Sequence, residues 1–225
     1  EGTPSLWYCG EPTEDPQLEE DLQQIHDEDY SDPVCARTMD DAAGETWEQD
    51  EHGVGWRLVA TDGSGLHPRD PRLRRCGYGA FYGEGHSQNA TVLLRGQCQV
   101  VPRAELRGAL RALRNVVDRD VLLIDCKSVV DGLQTLLNGG SVSHLDHQDL
   151  WREVEAELDV LGRDRVRVRK VKAHTTEADL QAGVISAVDR ALNDSVDTLA
   201  KKGAAQHPQH LEGLLQAKRR RRITI

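Results

Sequence analysis

Bulky apolar material is scarce in this chain. Of its 225 residues, 4% are aromatic, with one Phe and one Met. A core reaching over the whole length is therefore excluded, and part of the chain is expected to lie outside any packed body. Long apolar runs are also missing. None approaches the roughly 18 residues that a membrane-spanning helix needs. The N-terminal residues lack the basic and apolar regions of a secretory signal. Paired cysteines are missing too: Cys9, Cys35, Cys76, Cys98 and Cys126 are odd in number, scattered, and form no C-x-x-C. That argues against a disulfide framework or a zinc site and fits a reducing compartment. The expectation is an intracellular protein with no membrane partner.

What is present is charge, and it is segregated. The chain carries 38 acidic and 28 basic residues. Residues 1–53 hold 17 of the acids and one arginine, a net of -16, which leaves 21 acids and 27 bases for the remainder. Five of those bases form the run Lys218 to Arg222. Low hydrophobicity with high net charge favours disorder, so residues 1–53 are expected to be an acidic, disordered extension or linker. Residues 54–205 are expected to fold, and 206–225 to form a basic tail. That tail suits a phosphate contact, a nuclear address or a merely solubilising end. Nuclear and cytoplasmic locations both stay open.

Within the central region the hydrophobic period changes twice. Val54 to Thr61, Arg75 to Tyr82 and Thr91 to Val101 read as strands joined by turn chemistry, an antiparallel meander. A helical stripe follows Pro102, with Leu106, Leu110, Leu113 and Val117 at spacings of four, three and four. Val121 to Ile124 is continuously apolar, as in a strand buried on both faces. Lys127 to Leu137 and residues 148–161 read as amphipathic helices, and Arg165 to Val171 as a half-exposed strand. Its row of Arg165, Arg167 and Arg169 suits either a protected sheet edge or phosphate contacts. Helix-start signals at Thr176-x-x-Asp179 and Ser186-x-x-Asp189 precede a last helix running to about Lys202.

Acids recur at the ends of these elements. Leu58-Val59-Ala60-Thr61-Asp62-Gly63-Ser64-Gly65 is an apolar strand ending in a carboxylate, then glycines that allow close approach. Glu105 shares a helix face with Ala109 and Ala112, small residues that let it sit near the sheet. Asp125 ends an apolar strand, where capping the next helix is an alternative role. Asn193 and Asp197 share a face of the last helix.

In this order the motifs resemble those of the ribonuclease H family, type 1, over about residues 54–205. Thr-Asp-Gly-Ser at 61–64, Arg-Ala-Glu-Leu at 103–106, Leu-Ile-Asp-Cys-Lys-Ser at 123–128, Val-Lys-Ala-His at 171–174 and Asn-Asp-Ser-Val-Asp-Thr-Leu-Ala at 193–200 carry the likeness. The resemblance implies an α/β fold, a five-stranded mixed sheet with helices on both faces. It implies cleavage of the RNA strand of RNA–DNA hybrids to 5′-phosphate and 3′-hydroxyl ends. Asp62, Glu105, Asp125 and Asp197 would hold two Mg²⁺ ions, with Mn²⁺ a possible substitute, and His174 would assist proton movement or product departure. Gly63, Ser64 and Lys127 would meet the substrate. Asn193 would orient groups near the attacking water or cap the last helix.

Departures from the family pattern matter. Val100-Val101-Pro102 stands where many relatives carry polar residues that bind hybrid. The connection Asn138 to His147 is short and lacks Lys and Arg, and 18 residues separate His174 from Asn193, so this insert suits a lid or an extra substrate contact. Weak grip of its own points to a further nucleic-acid-binding module, such as a reverse transcriptase, as partner. Two other readings are a non-catalytic nucleic-acid-binding or scaffold module and a DNA-cutting relative.

Overall fold

The computed structural model describes residues 44–208, apart from 68 and 70–72. Expectations for residues 1–43 and for the run Lys218 to Arg222 fall outside the described residues.

Six strands form one mixed sheet: β1 (Thr46–Gln49), β2 (Gly55–Leu66), β3 (Arg75–Phe81), β4 (Ala90–Leu93), β5 (Asp120–Ile124) and β6 (Val166–Lys170). The order is β4-β3-β2-β5-β6, and β1 pairs with β2. The pairings β1–β2, β2–β3 and β3–β4 are antiparallel, while β2–β5 and β5–β6 are parallel. Five helices complete the body: α1 (Val101–Leu113), α2 (Lys127–Leu137), α3 (Gln148–Leu161), α4 (Glu177–Gln181) and α5 (Ala187–Ala205). No helix among the described residues is long and apolar enough to cross a membrane.

The two faces of the sheet are built differently. Val59, Ala80, Leu122 and Ile124 point to one side, where Leu106, Leu110 and Leu113 of α1 join residues of α2 and α3 in the larger core. Leu58, Ala60, Val121 and Leu123 point to the other, against Leu192 and Val196 of α5. This alternation follows from the two-residue period of a strand. Glycines let α5 lie directly on β3: a Cβ at Gly77 would fall 2.0 Å from the Ala204 amide nitrogen, and one at Gly79 3.0 Å from that of Ala200.

Several boundaries differ from the sequence reading. The expected strand Thr91 to Val101 ends at Leu93, and Val101 already begins α1. Between them, Gln99 holds the chain against β3, accepting from the Cys76 amide at 2.8 Å and donating to the Leu94 carbonyl at 2.8 Å. The folded body also starts earlier than residue 54. β1 lies inside the acidic stretch expected to be disordered, because its acids find buried or basic partners. The Glu45 side chain is fully buried and accepts from Arg57 Nη1 at 3.0 Å. Asp50 organises the β1–β2 turn, accepting from the Val54 amide and from Trp56 Nε1.

The arginine row on β6 accordingly has partners. Arg167 donates to Asp50 at 3.0 Å and lies 3.7 Å over the Trp56 ring. Arg169 donates to Glu48 at 2.5 Å and to Asp189 at 3.2 Å.

Candidate active site

The parallel pairing of β2 and β5 ends at Thr61↔Ile124. Asp62 and Asp125 are the next residue on each strand, so they stand side by side at the C-terminal edge of the sheet. In open α/β sheets this edge is where ligands are held.

Glu105 arrives from above on α1. A Cβ at Gly63 would lie 2.5 Å from the Glu105 amide nitrogen and 2.9 Å from the Ala104 carbonyl carbon. Only a glycine there lets α1 settle low enough for its glutamate to reach Asp62. Carboxylate oxygens of Asp62, Glu105 and Asp125 all lie within 4.8 Å of one another. Gly63 is therefore covered by α1, with a structural task that the reading as a substrate contact missed.

Asp197 completes the acidic surroundings from α5. It is not within the 4.8 Å group, yet its charge acts on both Asp62 and Asp125. Its Oδ2 accepts from Lys201 Nζ at 2.6 Å.

Crowding these acids without cations is unfavourable. The Asp62 carboxyl is pushed up to about 7, mainly by burial and then by the charges of Asp125 and Asp197. Glu105 is raised well above its usual range by burial, then by Asp62, Asp125 and Cys126. Burial also raises Asp125, opposed by the positive charges of Lys170 and His174. Glu105 is 4% exposed, and its Oε2 has no hydrogen-bond partner. A buried carboxylate oxygen without a donor is costly. The donor set is all oxygen and all anionic. These features fit a hard divalent cation.

The remaining sequence candidates are placed less uniformly. His174 is exposed, in a left-handed backbone conformation (φ 48), close enough for its charge to act on Asp125. Asn193 is buried one turn before Asp197 with its Oδ1 unpartnered. It does not cap α5, since Ser186 does so by accepting from the Asp189 amide. Nor does Asp125 cap α2, whose N-cap is Cys126, with no side-chain cap bond. Ser64 is half-buried beside Gly77 on β3. Lys127 does not join the acids: it is exposed and ion-paired with Asp131 one turn on.

Two neighbours of the site escaped the sequence reading. Lys170 acts on Asp125 from the end of β6, and its place in Lys170-Val171-Lys172-Ala173-His174 was the available signal. Lys201 was assigned to the last helical turn, although its i+4 spacing from Asp197 already predicts their contact. The segment between His174 and Asn193 holds α4, with Thr176 and Asp179 in a reciprocal capping box.

A mixed sheet covered on both faces, with acids from two strands and a helix meeting at its C-terminal edge, defines an α/β domain with a single acidic centre among the described residues. The family model for RNase H matches residues 57–205, and the chain belongs to the RNase H family. No curated protein matches it. Among solved structures, the RNase H domain of prototype foamy virus is 18% identical, with 66% of this chain and 93% of that one covered, at a TM-score of 0.48. LC11-RNase H1, isolated from compost by a metagenomic approach, is 12% identical, with 66% and 95% covered, at 0.45. Prototype foamy virus protease–reverse transcriptase is 17% identical over 65% of this chain, at 0.47, and the match spans 20% of that longer chain.

Proposed function

We propose that the chain is an endoribonuclease that hydrolyses the RNA strand of RNA–DNA hybrids. The observation that carries this reading is the meeting of Asp62, Glu105 and Asp125 within 4.8 Å, in an RNase H family chain. Glu105 Oε2, buried and without a donor, adds to it.

Asp62, Glu105, Asp125 and Asp197 would hold divalent metal, two Mg²⁺ ions or Mn²⁺ in their place. Such ions, when bound, supply Lewis-acid stabilisation of charge on the phosphoryl oxygens and an activated water. The four carboxylates give up their mutual repulsion to the cations and fix where the scissile phosphate sits. Lys201 loses Asp197 as its partner when that acid turns inward, which frees an ammonium at the rim. His174, exposed beside Asp125, is placed to carry a proton to the leaving 3′ oxygen, giving 3′-hydroxyl and 5′-phosphate ends. Asn193 offers a buried acceptor that can orient a water or a 2′-hydroxyl, the group by which RNA is told from DNA.

The connection Asn138 to His147 contains no basic residue. A separate nucleic-acid-binding module, such as a reverse transcriptase, would then supply most of the grip. An intracellular setting, nuclear if the run Lys218 to Arg222 acts as an address, goes with this reading.

The test is cleavage of a labelled RNA–DNA hybrid by the full chain with Mg²⁺ or Mn²⁺. Asp125→Asn should lower the rate by at least about 10³-fold, since removing a group that acts only in the transition state is felt fully in turnover. EDTA should abolish cutting, and the DNA strand should stay intact. Undiminished cutting by Asp125→Asn, or equal cutting of both strands, would sink the proposal.

A further inference from the structure

We infer that Cys126 adds a sulfur donor beside the carboxylate centre, so that thiophilic divalent ions such as Zn²⁺ and Cd²⁺ bind there through Glu105, Asp125 and Cys126. The inference rests on the reading of these acids as a metal site.

Cys126 follows Asp125 directly, in extended backbone (φ -79, ψ 109). The alternation of β5 therefore carries past Ile124: Asp125 turns toward the α5 face, and Cys126 toward the face covered by α1. Cys126 is half-buried there against the core that contains Leu106 and Ala109, neighbours of Glu105 on α1. Its charge is felt at Glu105. Asp125 and Cys126 thus approach the Glu105 carboxylate from opposite faces of one strand end. The independent sign of a missing cation is Glu105 Oε2, which is buried and has no donor.

Cys126 adjoins the three acids that close to 4.8 Å rather than standing among them. Its Sγ contacts Ser128 Oγ at 3.3 Å, on the exposed side. Exchanging that weak contact for a metal requires a rotation between staggered positions about one bond. Hard ions such as Mg²⁺ prefer the oxygens and ignore the thiol. Zn²⁺ and Cd²⁺ accept thiolate beside carboxylate. Binding forms one metal–sulfur bond and releases the thiol proton to solvent, with no change of oxidation state. Ion preference at the centre would thereby divide into a hard mode on four carboxylates and a soft mode anchored by sulfur.

The experiment titrates the metal-free full chain with CdCl₂ and follows the ultraviolet sulfur-to-cadmium charge-transfer absorption, for the unaltered chain, Cys126→Ser and Cys126→Ala. The unaltered chain should develop the band as one ion binds. Both variants should lose that component, with affinity reduced by more than the roughly 10–100-fold that loss of an outer-shell partner costs. Two substitutions of different polarity keep the test valid if one variant folds poorly. Superimposable titrations of the unaltered and variant chains would overturn the inference, because the band would then come from another cysteine. Hybrid cleavage by the unaltered chain with Mg²⁺ is scored in parallel. A Cys126-dependent band without cleavage supports the sulfur donor and removes the nuclease reading, whereas cleavage without that band does the reverse.

Discussion

The two ends of the β2–β5 pair make opposite uses of buried acid. At one end Arg57 faces Asp120, and at the other Asp62 stands beside Asp125, one residue past Thr61↔Ile124. At the first end every charge is answered. Arg57 donates to both Asp120 oxygens at 3.0 and 2.8 Å, to Glu45 at 3.0 Å and to the Asn115 carbonyl at 2.9 Å. His86 Nε2 meets the same Glu45 oxygen at 3.2 Å, and its Nδ1 accepts from the Gln88 amide. The imidazole is thus assigned as the neutral Nε2–H tautomer. At the second end, three carboxylates within 4.8 Å face each other. Burial depth does not separate the two, since Asp120 and Glu105 are 1% and 4% exposed. Completeness does. The paired end stabilises the fold, and the unpaired end withholds stability that a cation would return.

The largest effect should come from breaking the complete end. Asp120→Ala leaves Arg57 buried without its bidentate partner, and losing one member of a buried pair costs about 3–5 kcal/mol. Urea unfolding should show that drop, and Asp120→Ala protein that remains folded should keep its Mg²⁺-dependent cleavage rate.

The incomplete end should respond with the opposite sign. Asp62 has a folded pKa of about 7 against a model value of 3.8. Between those values the native state binds more protons than the unfolded chain, so stability without metal falls as pH rises from about 4 through 7. Asp62→Asn removes this loss. In EDTA at pH 8 it should raise stability by roughly 2–4 kcal/mol, taking ~1.4 kcal/mol per pKa unit and allowing for relaxation. Parallel melting profiles of the two proteins from pH 5 to 8 would contradict this. Adding Mg²⁺ should raise the melting temperature of the unaltered chain more than that of Asp62→Asn.

A smaller effect is expected where geometry, not charge, builds the site. Gly63→Ala puts a methyl 2.5 Å from the Glu105 amide nitrogen. Overpacking of this kind costs about 1–3 kcal/mol, and lifting α1 should reduce cleavage more than it reduces stability. Smallest of all should be Glu48→Gln, which removes a half-exposed partner of Arg169. Such pairs contribute about 0–1 kcal/mol, so the melting temperature should barely move.

Much of this contrast was legible in the sequence, but unevenly. Asp62 and Asp125 were visible because an acid ending an apolar run is a local pattern. Glu105 was visible because small residues at Ala109 and Ala112 mark a face that lies close to the sheet. The helices Lys127–Leu137 and Gln148–Leu161 matched the expected limits, each having a full apolar stripe. The complete end was not legible. Glu45 looked like one more acid in an acidic stretch, and its partners Arg57, His86 and Asp120 are 12, 41 and 75 positions away. Pairing over such separations leaves no local period. The contact between Gly63 and α1 was hidden for the same reason, since a glycine after an aspartate reads as loop chemistry until the helix above it is known.

The strand β1 has a mechanical consequence. Its hairpin with β2 opens at Thr46↔Leu58, and Glu45 sits just outside that open end. Tension applied to the chain upstream of residue 44 is therefore delivered to the Glu45–Arg57 ion pair before it reaches any β1–β2 hydrogen bond. The load is taken up at the end of β2 remote from Asp62. An upstream body tugging on this domain would strain its anchored end first and leave the acids in register until that anchor gave way.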